Sequence, residues 1–243
     1  MDPASARSSA IVFGASGAIG RALTERLAKR GEHVVYGAVR DPAARLPADV
    51  RRLAFDLADE MSIAAAAAQI EEPPALVIVA TGLLHDAAGD VTPEKSLRSI
   101  KASAMAAVYA VNAIGPALIA KHVLPRLPRD RPATFAVLSA RVSSIGDNRL
   151  GGWHAYRASK AALNMLVRTF AIELARSHPL AVVAALHPGT VDSRLSAPFQ
   201  RGVAPGKLFS PDQAAGQLLD VLAALTPADS GGLFAWDGQR LPY

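Results

Sequence analysis

Tyr156 and Lys160 stand four residues apart in Tyr156-Arg157-Ala158-Ser159-Lys160, where a long stretch with apolar helical periodicity begins. A helix carries side chains at this spacing on one face. An ammonium beside a phenol favours the phenolate by charge and hydrogen bonding, and so lowers a pKa that is about 10 unperturbed. The pair would then be a general acid/base able to give or take the proton of an alcohol near neutral pH. Such pairs also occur by chance on helix surfaces, so a second feature must be read with it.

That feature is Ile11-Val12-Phe13-Gly14-Ala15-Ser16-Gly17-Ala18-Ile19-Gly20, followed by helical periodicity through Ala28. A short apolar run, small residues and then a helix read as strand, tight turn and helix. Glycines let the backbone turn sharply and approach a pyrophosphate, and the helix N-terminus adds N–H donors and a favourable dipole. A tight turn without a ligand is the plainer reading. The strand Val34-Val35-Tyr36-Gly37-Ala38-Val39 that follows completes a βαβ unit and favours dinucleotide binding.

These residues need a scaffold, and strand-like and helix-like segments alternate along the whole chain. Strands are expected at Ala10–Phe13, His33–Val39, Val50–Phe55, Ala75–Ala80, Ala133–Ser139, Leu180–Leu186 and Gly232–Trp236. Helices are expected around Ala18–Lys29, Met61–Ile70, Ser96–Leu127, Ala155–Ser177 and Pro211–Leu225. The expected fold class is α/β: one domain over 10–243, a doubly wound, mostly parallel sheet of about seven strands with helices on both faces. Ligands should lie beyond the carboxyl ends of the strands. Residues 1–9 lack an apolar core and read as a flexible tail rather than a signal peptide. The polar Arg194–Leu208 stretch, with Pro198 and Pro205, reads as a loop over the site.

The chain has 243 residues, long enough for one well-buried core, and 51% are hydrophobic against 19% charged. It has no cysteine, hence neither a disulfide framework nor a thiolate metal site, and no metal is expected. The net charge is +5, but the cations are scattered, mostly as single arginines, which argues against nucleic acid as a partner. The long uncharged run Ala104–Ala120 is interrupted by Asn112, Gly115 and Pro116, and reads as a buried core helix rather than a membrane span. A cytoplasmic location is expected, with no membrane partner.

Five motifs in order resemble the short-chain dehydrogenase/reductase family, in its classical branch, over essentially the whole chain. They are Gly14–Gly20, Asp56-Leu57, Val111-Asn112-Ala113-Ile114-Gly115-Pro116, the Tyr156/Lys160 pair, and Pro188-Gly189-Thr190-Val191-Asp192-Ser193. Local wording is similar to the subgroup of C-factor and sniffer-type carbonyl reductases. It lies in Ser144-Ile145-Gly146-Asp147-Asn148, Gly151-Gly152-Trp153, Tyr156–Asn164, and the ending Asp229-Ser230-Gly231 through Asp237-Gly238 to Leu241-Pro242.

The resemblance implies a Rossmann fold and an oxidoreductase that moves hydride between a nicotinamide and a carbonyl or alcohol. Tyr156 would protonate the substrate oxygen, Lys160 would tune Tyr156 and hold the nicotinamide ribose, and Asn112 would hold a water that links Lys160 to solvent. Asn112 also has a physical signature, since a polar amide inside an apolar helix must be satisfied and can deform the helix. The cofactor would lie on Gly14, Ser16, Gly17, Ala18, Ile19, Gly20, Asp56, Leu57, Ala80, Thr81 and Gly82, with Pro188, Gly189, Val191 and Ser193 around the nicotinamide. After the second strand, Ala38-Val39-Arg40 offers no carboxylate for a ribose hydroxyl and puts Arg40 where a 2′-phosphate could pair with it. NADP(H) is therefore the expected cofactor, with NAD(H) the alternative because Asp41 follows.

The sequence departs from the family pattern in four places. Ala18 replaces the middle glycine, giving Gly-x-x-Gly-x-x-Gly, and Phe13 precedes the turn. Val79-Ala80-Thr81-Gly82 stands where the family has Asn-Asn-Ala-Gly. The catalytic serine is ambiguous: thirteen residues before Tyr156 is Ser143, but matching the strand end Val137-Leu138-Ser139-Ala140 puts Ala140 there. Ser143 is the candidate, with Ser139, Ser144 or no serine as alternatives. A dinucleotide-binding signalling protein with weak catalysis is the rival reading, and a sugar-nucleotide epimerase the third. Arg141, Trp153 and His154 are candidate pocket residues, His154 more simply an exposed loop histidine. Substrate identity and the choice between monomer and homo-oligomer stay open.

Overall fold

The computed structural model describes residues 7–243, so residues 1–6 of the expected tail lie outside the described residues. Among the described residues ten strands occur: β1 (Ser9–Phe13), β2 (Val34–Val39), β3 (Arg51–Ala54), β4 (Pro74–Val79), β5 (Ala133–Leu138), β6 (Ala181–His187), β7 (Thr190–Val191), β8 (Leu208–Phe209), β9 (Leu233–Ala235) and β10 (Arg240–Leu241). The α-helices are α1 (Ala18–Arg30), α2 (Glu60–Ala68), α3 (Ala102–Tyr109), α4 (Gly115–Val123), α5 (His154–Leu174) and α6 (Pro211–Ala224).

Eight strands form one sheet in the order β10-β9-β6-β5-β4-β1-β2-β3. All pairs are parallel except β9 with β10. The count exceeds the expected seven because β10 is only two residues long, too short for any periodicity to reveal it. Ser9, expected in the tail, opens β1; it is fully buried, and its hydroxyl donates to the Glu72 carbonyl at 2.9 Å.

The strands are apolar on both faces because both faces are covered. Ile11, Phe13, Val77, Phe135 and Val183 pack into one core with residues of α2, α4 and α5. Ala10, Val12, Ile78, Ala136 and Leu186 pack into the other with α1 and α6. The chain winds outward through β2 and β3 on one side of β1, then returns to β4 on the other side. Such a reversal opens a crevice at the carboxyl ends of β1 and β4. Gly14 and Ala80 stand at those two ends, and the Ala80 N–H donates to the Phe13 carbonyl at 2.8 Å.

The helical stretch expected around Ser96–Leu127 is continuous over Ala102–Arg126 but changes its winding midway. Between α3 and α4 the turn Ala110–Ile114 is a π-helix, with the Gly115 N–H reaching back to the Ala110 carbonyl. Pro116 explains it: a proline has no N–H to give to the carbonyl four residues back, which is that of Asn112. By length and composition Ala102–Arg126 could cross a membrane, yet here it packs against α2 and α5. It is buried on one side only, and Ile114 is exposed. The segment is thus packed on one side into a layered α/β molecule, where a buried core helix was expected.

Candidate active site

Two cavities lie along the carboxyl edge of the sheet. The first, about 420 Å³, is lined by Gly14, Ser16, Gly17, Arg40, Asp56, Leu57, Ala80, Thr81 and Gly82. The second, about 300 Å³, is lined by Ile19, Ser139, Ala140, Arg141, Trp153, Tyr156, His187, Pro188, Gly189, Val191 and Ser193, together with Leu195, Phe199 and Val203. Two groups of residues far apart in sequence thus form neighbouring sites at one edge.

The glycine turn is shaped by contact. Gly14 has φ +85°, and a Cβ on it would meet the Thr81 methyl at 3.1 Å and the Ala80 carbonyl carbon at 3.2 Å. A Cβ on Gly20 would lie 2.1 Å from the Gly14 carbonyl oxygen, so α1 can approach the turn only through a glycine. Gly17 is the N-cap of α1, with ordinary φ, no side-chain cap and no carboxylate in the first turn. Ala18 is the first residue of that helix, so the family's middle glycine is not needed for the turn itself. Thr81 Oγ1 is buried without a hydrogen-bond partner among the described residues. An uncapped helix N-terminus, a glycine cradle and an orphaned hydroxyl together fit an anionic dinucleotide.

Arg40 is exposed at the rim of this groove. Asp41, which could have argued for the other nucleotide, turns its carboxylate to its own backbone and accepts the Ala43 N–H at 2.8 Å. Asp56 lines the groove and caps the turn after β3 by accepting the Ala58 N–H at 2.9 Å. Leu57 packs so close to α4 that a Cβ on Gly115 would come within 2.6 Å of it.

Tyr156 and Lys160 both occupy the first turns of α5, and both are buried. Lys160 Nζ donates to the Leu138 carbonyl at 2.6 Å. It also lies 3.9 Å from the place a Gly82 Cβ would take, which ties the lysine to the dinucleotide groove. Burial pushes the Lys160 ammonium down to about 7 and the Tyr156 phenol up to about 12. The phenol pKa expected to fall is therefore raised, by burial alone.

Asn112 sits in the π-turn and is fully buried. Its Oδ1 accepts the Leu83 N–H and its Nδ2 donates to the Leu83 carbonyl, both at 2.8 Å, with Ser159 Oγ at 3.1 Å. This clamp braces the segment after β4, where the family's asparagines are missing.

Ser143 is not brought to the Tyr156 pocket. It donates to the Ala140 carbonyl at 2.5 Å, accepts Asn164 Nδ2 at 2.7 Å, and faces a separate groove with Ser144, His154, Asn148 and Arg157. Ser139 does line the pocket, but its hydroxyl donates to Asn164 Oδ1 at 2.7 Å. Ala140 holds the pocket position that the strand-end match assigned to it. The count of thirteen thus gives way to the strand-end match, which implies a longer loop before Tyr156. His154 is neither in the pocket nor in a loop: it begins α5 with Nδ1 buried and unpartnered.

The ends of the Arg194–Leu208 segment are tied by parallel pairing of β7 with β8, and its middle is the 3₁₀ turn Ala197–Gly202. Phe199 lies on Trp153, ring centroids 4.8 Å apart, and His85 Nε2 meets the Arg194 and Leu195 carbonyls at 3.2 Å. A Cβ on Gly189, φ +74°, would strike the Phe209 ring at 2.6 Å. Three lining residues escape the sequence reading, Leu84, Val142 and His187. Only the position of His187, closing an apolar strand directly before Pro188-Gly189, could have drawn attention to it.

Residues 8–203 match the family model described as short chain dehydrogenase. The chain is 30% identical over 243 residues to 1-hydroxy-2-glutathionyl-2-methyl-3-butene dehydrogenase of Rhodococcus sp. strain AD45, covering 97% of this chain and all of that one. It is 34% identical over 139 residues to C-signal of Myxococcus xanthus, covering 57% of this chain and 78% of that one. In three dimensions it is similar to an NADPH-bound carbonyl reductase from chicken fatty liver, with TM-score 0.82, 24% identity, and coverage of 98% and 95%.

Proposed function

This chain belongs to the short-chain dehydrogenase family, and on that premise we propose that it is an NADP(H)-dependent carbonyl reductase or alcohol dehydrogenase of the cytoplasm. The observation that carries this reading is the convergence of Tyr156, Lys160 and the glycine turn on one edge of the sheet.

The dinucleotide would lie from Arg40 and Asp56, past Gly14–Gly20 and Thr81, to Pro188, Gly189, Val191 and Ser193. When bound, it supplies the hydride that reaches a carbonyl carbon, or accepts it in the reverse direction. Arg40 would meet a 2′-phosphate, since it stands at the rim and the neighbouring Asp41 is turned to its own backbone. Tyr156 gives its phenolic proton to the substrate oxygen as that oxygen gains negative charge. Burial holds the phenol protonated at neutral pH, the form needed to give a proton to a carbonyl oxygen. Lys160 favours the phenolate that remains, and any anion in the groove favours the charged lysine. Asn112 acts as a positioning residue, through its clamp on Leu83 beside Gly82. The Arg194–Leu208 segment is the substrate loop, placing Leu195, Phe199 and Val203 against the reacting molecule and keeping water out. The substrate is a small molecule with an apolar body.

The experiment is a broad panel of aldehydes and ketones with NADPH, for the wild type and Tyr156→Phe. Wild-type turnover is expected, with loss of roughly 100-fold or more in the variant and unchanged NADPH binding by fluorescence. Full activity of Tyr156→Phe would sink the mechanism. A second reading, a dinucleotide-binding signalling protein with little catalysis, draws on Ala140 in the pocket and on the likeness to C-signal. It predicts NADPH binding with no turnover by the wild type.

A further inference from the structure

A carbonyl oxygen that receives a proton from Tyr156 carries growing negative charge, and a second hydrogen-bond donor would stabilise it. The hydroxyls around the pocket are mostly committed elsewhere. Ala140 has none, Ser139 donates to Asn164, and Ser143 faces another groove. Ser196 donates to the Val191 carbonyl at 2.5 Å, and Arg141 pairs with Asp147 at 3.1 Å. Thr190 and Ser193 lie beyond Gly189, on the way into the loop.

His187 is different. It ends β6, the strand paired with β5, whose continuation carries Ala140; Leu138 faces Leu186 in register, and the Ser139 N–H donates to the Leu186 carbonyl at 2.7 Å. His187 lines the same cavity as Tyr156. Burial, helped by the positive charge of Arg141 and opposed by Asp237, pushes the imidazole down to about 4. At working pH the ring is neutral, with one N–H to donate.

We propose that His187 donates a hydrogen bond to the substrate oxygen, taking over the task that a serine hydroxyl performs in the family. The proposal rests on the carbonyl-reductase reading. His187 transfers no proton: Tyr156 supplies it, and the imidazole keeps its own N–H throughout. It would therefore be a catalytic residue by direct contact with the reacting oxygen.

The test compares wild type, His187→Ala, His187→Gln and the double variant Ala140→Ser/His187→Ala, with NADPH and a panel of aromatic aldehydes and ketones led by 4-nitrobenzaldehyde. His187→Ala should lower kcat about 100-fold while the NADPH dissociation constant stays within about two-fold, which also shows that the fold persists. His187→Gln, which keeps an N–H donor, should retain part of the rate. The double variant should recover at least about tenfold, because a hydroxyl is restored on the neighbouring strand. A merely structural histidine would not be rescued in this way. Unchanged kcat in His187→Ala overturns the proposal, as does a loss that Ala140→Ser leaves uncorrected while NADPH still binds. A wild type that turns over no carbonyl overturns the reading beneath it, a result distinct from either.

Discussion

Arg40 and Asp41 show how side-chain orientation separates two residues that the sequence leaves side by side. In sequence they are adjacent opposite charges and argue for different nucleotides. In the fold Asp41 is spent on an Asx turn and Arg40 is left at the groove rim. Arg40→Ala should therefore weaken NADPH binding about 10- to 100-fold, the worth of a charge-assisted contact, and leave NADH nearly unchanged. Fluorescence titration with each nucleotide measures this, and an equal loss for both would remove Arg40 from cofactor choice. Tyr156 and Lys160 carry the opposite lesson. Their spacing was legible, but their titration depends on how deeply α5 is buried, and burial reverses the direction expected for the phenol.

At the scale of elements, the turn before α1 and the π-turn before α4 hold the site together. The turn is sterically locked: a methyl at position 20 would sit 2.1 Å from a backbone oxygen of the same turn. Gly20→Ala should cost about 1–3 kcal/mol or more of stability, read as a lower urea midpoint, and should weaken both nucleotides together. Gly17→Ala meets only one atom, at 3.4 Å, in the protein itself. It should keep its stability and lose nucleotide affinity, separating packing from ligand approach. If Gly17→Ala binds nucleotide normally, the close backbone approach inferred at that glycine is wrong. The π-turn links Pro116, which withholds an N–H, to Asn112, whose amide clamps Leu83.

The whole molecule places an ammonium inside a double-faced α/β core, and that has a measurable consequence. Burial lowers Lys160 from 10.5 to about 7. Between those values the unfolded chain holds a proton that the folded chain lacks, so this group makes stability rise with pH across that window. Below about pH 7 both states are protonated and its contribution is flat at its least favourable value. Wild type should thus gain stability between about pH 7 and about pH 9.5 relative to Lys160→Met, measured by urea denaturation at the two pH values. Parallel pH responses in the two proteins would show that Lys160 keeps its ordinary titration. His187, lowered to about 4 from 6.5, adds a separate rise between those two values.

The sequence by itself determined the alternation of strands and helices, the glycine turn and the Tyr156/Lys160 pair, because these depend on local periodicity and on residues a few positions apart. It also marked Asn112 as a polar group that would disturb a helix. Only the tertiary structure decided that Ala140 rather than Ser143 faces the pocket, that Arg40 rather than Asp41 faces the groove, and that His187 joins Tyr156. Those outcomes depend on loop length and side-chain direction between segments distant in sequence, and neither has a period to read. The electrostatics came last for the same reason, since desolvation belongs to the packed core and not to any stretch of chain.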